Sequence, residues 1–138
     1  MKSQSKIVAR YAETDQMGIV HHSVYPIWFE VARTDFIKHA GMTYTQMEQA
    51  GVMLPLAGLI CRYFYPTRYE DEVTVEVSIQ KLTPARIEFL YQVFSEEGRL
   101  LVEGTTTHGW TNLSLKPISL KKHFPAIYEL VKHAQEDE

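Results

Sequence analysis

The segment Tyr11–Gly41, YAETDQMGIVHHSVYPIWFEVARTDFIKHAG, decides the architecture. Read as a helix, Val24 to Ala40 places Tyr25, Trp28, Phe29, Ala32, Phe36 and Ala40 at the three- and four-residue spacings of one face, and Ile27, Val31 and Ile37 widen it. A surface that apolar needs covering on more than one side, so the helix is central and the rest of the chain must wrap it. Ser23 reads as its N-cap, Pro26 falls in the first turn where a missing N–H costs little, and Gly41 reads as a left-handed terminator. Glu30, Arg33, Thr34 and Lys38 form the polar stripe, with Glu30 and Arg33 spaced as an ion pair. Ahead of the helix, Thr14-Asp15-Gln16-Met17-Gly18 is a polar loop with one carboxylate in a tight setting.

Before this segment, Ser5 to Ala12 alternates Ile7, Ala9 and Tyr11 against Lys6, Val8 and Arg10, predicting a first strand that feeds the loop. After it, Thr43 to Ala50 predicts a short second helix, capped by Thr43 or Thr45 and ended by Gly51. From Leu54 the period becomes two. Leu56 to Tyr65, the Val73–Ile79 alternation, the Ile87–Val93 alternation and Arg99 to Thr111 read as strands, with turns at 69–72, 83–85 and 95–98. Hairpin distances between them predict an antiparallel meander. One early helix followed by consecutive strands is an α+β pattern in which a curved sheet wraps the helix. Apolar residues on the outer sheet face as well call for a second cover, and a neighbouring subunit is the natural one. Phe124 to Ala134 reads as a terminal helix, with QEDE as its frayed end.

A chain of 138 residues suits a single domain, 1–138, and its 45% apolar and 22% charged content is that of a soluble globular protein. A formal charge of -3 offers no bulk attraction for nucleic acid or an anionic membrane, so a polyanionic ligand must meet a local basic patch. Cys61 stands alone, which excludes an intrachain disulfide and a Cys-rich metal site and suits a small core residue. The N-terminus lacks a signal-peptide pattern and no stretch is apolar for the length of a membrane span, so the cytoplasm is the expected location. His21, His22, His39 and His108 show no ligand spacing that would make a zinc site, and no metal is expected. Asp15 can be read as the carboxylate of an Asx-turn ahead of Gly18, or as a chemical group.

The ordered run Tyr11, Thr14-Asp15-x-x-Gly18-x-Val20-x-His22-x-x-Tyr25, followed by Phe29-Glu30-x-x-Arg33, resembles the hotdog-fold acyl-CoA thioesterases of the 4-hydroxybenzoyl-CoA thioesterase and YbgC type. The likeness continues more weakly through Tyr63-x-x-Pro66-x-x-Tyr69-x-Asp71-x-Val73, Gly104 and Lys116-Pro117-Ile118. Where that family commonly has Asn, this chain has Val24.

The resemblance implies a hotdog fold and hydrolysis of acyl-CoA thioesters to free acid and coenzyme A. It assigns Asp15 as general base or nucleophile, and a backbone donor at position 22 to polarise the thioester oxygen, with Gly18 and Tyr25 shaping the loop. The N–H groups of His21, His22 and Ser23 are expected unpaired at the helix start. The His22 side chain is a further catalytic candidate or a packed loop residue, Glu30 is the reserve carboxylate, and His108 reads as a satisfied sheet histidine. Lys81, Arg86, Lys116 and Lys121 are candidates for the phosphates of coenzyme A, from this chain or a neighbour, and Trp28, Tyr63 and Phe64 for an acyl pocket. No cofactor is implied beyond coenzyme A as part of the substrate, with acyl carrier protein as the other possible carrier and a homodimer or homotetramer as the assembly. Two alternatives stay open: a hotdog acyl-thioester dehydratase or hydratase, and a non-catalytic acyl-CoA-binding module.

Overall fold

Five strands and a long helix frame the computed structural model, which describes residues 1–136. In chain order these are β1 (Ser3–Val8), α1 (Tyr25–Ala40), α2 (Tyr44–Ala50), β2 (Leu56–Tyr63), β3 (Glu72–Leu82), β4 (Arg86–Ser95), β5 (Leu100–Gly109), α3 (Leu120–His123) and α4 (Pro125–Glu136). The strands form one antiparallel sheet in the order β1-β3-β4-β5-β2. The sheet curves around α1, which is the hotdog arrangement.

The inward positions Val73, Val75, Val77, Ile87, Phe89, Tyr91 and Val93 alternate with outward ones as the period of two requires, and all are buried against α1. Trp28, Phe29, Phe36 and Ile37 of α1 are buried from the other side, each stabilising the fold by roughly 1.5–3 kcal/mol. Phe29 stacks on Tyr91 with ring centroids 4.4 Å apart. A Cβ at Gly104 would lie 2.6 Å from the Phe29 ring, so glycine is what lets β5 approach the helix.

Several expected boundaries move. β1 begins at Ser3 and stops at Val8, and Tyr11–Glu13 form a 3-10 turn with Tyr11 76% exposed. The inward residues at the start of the strand are Ser3 and Ser5, which satisfy their hydroxyls on His39 and Asp35 of α1, so they carry no apolar signal. The meander holds only from β3 to β5, because β2 pairs with β5 at the far edge. Its connection to β3 is held against the loop that precedes α1, through the Ile19–Arg68 bridge and the bond from Val20 N–H to Thr67 C=O, and so does not close as a hairpin. Ser23 does not cap α1: Val24 occupies that position with helical backbone, and the Ser23 hydroxyl is turned to His21 Nδ1, 2.7 Å away. Gly41, at φ 115, ends the helix as expected. Thr43 caps α2 with a capping box, and Gly51 ends it. Gln135 and Glu136 are helical rather than frayed, and the last two residues of QEDE lie outside the described residues.

The outer positions of β3 are polar, and those of β4 include the half-buried Leu90 and Phe94. Edge strand β2 exposes Leu56, Leu59, Ile60 and Tyr63, and α1 exposes Ile27 and Val31. No helix is long and apolar enough to cross a membrane among the described residues.

Candidate active site

The loop before α1 is closed at its base by the Thr14–Val20 bridge and by two bonds, Asp15 N–H to Ile19 C=O at 2.9 Å and His21 N–H to Glu13 C=O at 2.9 Å. Gly18, at φ 78, donates to the Asp15 carbonyl and makes the reversal that no β-branched residue would tolerate. Asp15 Oδ1 accepts from Met17 N–H at 2.9 Å, so the Asx-turn exists. Its second oxygen has no hydrogen bond among the described residues. The loop therefore uses half of the carboxylate and leaves half.

Helical hydrogen bonding starts at Val24, and the residues before it form their own turn, with Val24 N–H donating to His21 C=O at 3.0 Å. Of the three expected donors, His21 N–H is taken by Glu13 and Ser23 N–H by His21 Nδ1 at 3.2 Å. Among the described residues only His22 of the three keeps a free N–H.

Asp15, His22 and Tyr25 line one cavity of about 340 Å³ with Met17, Ile19, Tyr63 and Phe64. Tyr63 donates its hydroxyl to the His22 carbonyl at 3.0 Å and meets Tyr25 edge-on at 5.6 Å, while Tyr25 donates to Thr67 Oγ1 at 3.1 Å. The aromatic wall suits an acyl chain or the pantetheine arm of coenzyme A. Trp28 is not part of it: the ring is buried in the core, and its indole N–H donates to Glu13 Oε2 at 2.9 Å.

Glu13 was not visible to sequence reasoning, because its partner on α1 lies 15 residues away. It is 6% exposed, and Oε1 also accepts from Arg10 N–H at 2.8 Å. Burial opposes its charge, but the bonds from Arg10 N–H and the Trp28 indole, with the Arg10 guanidinium, outweigh that and hold the carboxyl below the usual range.

The expected Glu30–Arg33 ion pair does not form. Glu30 is exposed at a separate cavity of about 320 Å³, away from the loop, while Arg33 turns inward, donating from Nε to Tyr44 Oη and from Nη1 to Tyr91 Oη, both at 3.0 Å. Beyond Tyr91 the chain continues to Thr106 Oγ1 at 2.7 Å and His108 Nε2 at 2.9 Å, and His108 Nδ1 meets the Leu54 carbonyl at 3.0 Å. A carbonyl only accepts, so His108 carries its proton on Nδ1, and every hydroxyl in the chain must donate away from Arg33. Burial, and then the Arg33 charge, push His108 down to about 4. It is the satisfied sheet histidine the sequence suggested.

Lys81, Arg86, Lys116 and Lys121 gather around the β3–β4 turn and the segment after β5, where Leu120 N–H donates to Pro84 C=O. In one chain Arg86, opposite Gly109, lies roughly 23 Å along the strands from Tyr63 at the Asp15 cavity, opposite Val102, at about 3.3 Å per residue. A third cavity, of about 600 Å³, lies at the near end and carries Glu70, Asp71, Glu72, Glu96 and Glu97 against Arg99, which is unsuited to phosphates. Among the described residues no group of three or more His, Cys, Asp or Glu is placed to hold a metal ion.

Residues 9–129 match the model of the thioesterase-like superfamily. The chain belongs to that superfamily. Among relatives of this thioesterase-like chain, the putative acyl-CoA thioesterase YneP of Bacillus subtilis is 37% identical over 124 residues, covering 89% of this chain and 90% of the relative. The DHNA-CoA thioesterase of Staphylococcus aureus superposes with a TM-score of 0.92 at 36% identity, over 97% of this chain and 91% of that one. A hypothetical protein of Thermus thermophilus gives 0.88 at 37% identity, over 97% and 98%.

Proposed function

We propose that the protein hydrolyses acyl-CoA thioesters to the free acid and coenzyme A. The observation that supports this most is the placement of Asp15, with one unspent oxygen, and the free His22 N–H at one aromatic-lined cavity. In this reading the thioester oxygen accepts from His22 N–H at the positive end of α1, and Asp15 takes a proton from the attacking water. The C–S bond then breaks, coenzyme A leaves as thiolate and is protonated, and the acid departs. Direct attack by Asp15 would give the same products through an acyl anhydride that water opens. Because the donor at position 22 is backbone, the His22 side chain is dispensable to it. Glu30, at its separate cavity, remains the reserve carboxylate.

The assembly that completes such a site is a homodimer through the β2 edges. β2 offers unpaired backbone groups along with exposed Leu59 and Ile60. Antiparallel pairing about a two-fold axis sets the Tyr63 end of one β2 beside the Leu56 end of the other. Leu56 is opposite His108, and Gly109 opposite Arg86, so this carries the basic end of the second copy toward the first copy's cavity. Lys81, Arg86 and Lys116 then serve the phosphates across the interface. Thiol release and acid formation, measured together on short, branched, aromatic and long acyl-CoAs, test the reaction. Equal amounts of both support hydrolysis, whereas consumption of an enoyl or hydroxyacyl thioester without thiol supports hydration chemistry instead.

A further inference from the structure

We infer that Glu13 is a positioning residue, whose buried carboxylate fixes the distance between Asp15 and the His22 N–H; this rests on the reading of those two groups given above. Three parts of the chain converge on this one residue, two of them on its side chain. Its Oε1 holds the segment after β1 through Arg10 N–H, and its Oε2 holds α1 through the Trp28 indole, one turn beyond Tyr25. Its own carbonyl holds the loop exit through His21 N–H. With His21 N–H held by the Glu13 carbonyl, the next N–H, that of His22, has no partner among the described residues, and His22 lines the cavity. Asp15 follows Glu13 by two residues and hangs from the same anchor.

The anchor needs a carboxylate rather than any polar group. Both oxygens accept from N–H donors, and a neutral amide in the same place would satisfy one donor and present its own N–H groups to the other. Trp28 is buried, so an unpaired indole would find no water in compensation. The ring or the loop must then shift. A displacement of about 1 Å between reacting groups costs on the order of a hundredfold in rate.

Two variants test this. Glu13→Gln disrupts the acceptor pair, and Trp28→Phe removes the indole donor while filling most of the same space. Each is expected to lower kcat by tens of fold or more with KM changed less than about threefold, because binding surfaces are untouched and only the reacting geometry moves. The double variant should lose little more than the worse single one, since both cut the same link. Backbone amide spectra read the same geometry without turnover, and the resonances of Asp15 through His22 should shift in both variants. Unchanged kcat in folded variants of an active wild type overturns the inference while leaving the thioester reading intact, and so does a strictly additive double variant. If the wild type releases no thiol, the functional reading falls by itself. The amide shifts then decide the anchor, and their absence in either variant overturns it.

Discussion

Beneath the middle of α1, a line runs from Arg33 through Tyr91 and Thr106 to His108 in which each hydroxyl both accepts and donates; ahead of the helix, Asp15 and His22 line a cavity, with one Asp15 oxygen and the His22 N–H unpartnered among the described residues. Both regions place polar groups against the same helix. From Tyr91 to His108 the line is buried and every hydroxyl and ring nitrogen is matched, so this stretch fixes the register of helix on sheet and has nothing to offer a substrate. The loop keeps one acceptor and one donor unspent beside a cavity. Unsatisfied groups at a cavity, rather than polar groups as such, separate the two.

The comparison can be broken most severely with acid. Protonating His108 would require Nε2–H to donate into a Thr106 hydroxyl already oriented toward it, reversing the whole line against Arg33. With His108 at about 4 in the folded state and near 6.5 in the unfolded chain, the unfolded state takes the proton first as pH falls. Its contribution to stability is thus complete above 6.5 and is lost progressively down to about pH 4, by up to about 3 kcal/mol. Denaturant unfolding at several pH values should show this fall, and His108→Gln should reduce its slope, leaving the part due to carboxylates such as Glu13.

A smaller change cuts the other end of that line. Arg33→Met removes two charge-assisted bonds, strands the Tyr44 hydroxyl and is expected to cost about 2 kcal/mol in the same measurement. It should also raise the His108 pKa, because the Arg33 charge is one cause of its depression. A titration of His108 in the variant that shows no upward movement would separate the two residues that the geometry joins.

The smallest test compares two helix starts. Thr43 accepts from Gln46 N–H as a true cap, so Thr43→Ala should cost about 1 kcal/mol, whereas Ser23→Ala, with its hydroxyl on His21, should cost less than about 0.5 kcal/mol. Equal losses would mean that the α1 start is capped in a way the hydrogen bonds do not show.

What the sequence could convey follows from the range of each interaction. The central helix and the strands β3 to β5 were legible because their burial repeats every 3.6 or two residues over ten or more positions. Ser3 and Ser5 hid the start of β1, since a buried serine bonded to His39 or Asp35 looks like a surface serine in a string of letters. The far-edge position of β2 depends on a connection pinned under the loop by Thr67 and Arg68, and sequence distance cannot show that. At the candidate site the ordered motif pointed to Asp15, His22 and Tyr25, and the structure brings all three to one cavity. Tyr63 and Phe64 join them, and Trp28 does not. Glu13 escaped notice because a carboxylate beside Asp15 reads as solvated until its burial and its distant indole partner are seen. Arg33 misled for the same reason: spacing suited a pair with Glu30, but two phenols inside the fold offered better partners.

The most direct measurement is thiol release by the wild type and Asp15→Asn, side by side, on the best acyl-CoA in the panel. Asn keeps an acceptor for Met17 N–H, so the loop should survive while the base or nucleophile is lost. The account predicts a folded variant slowed by about a hundredfold or more. A folded variant with the full wild-type rate would contradict it and move the chemistry to Glu30.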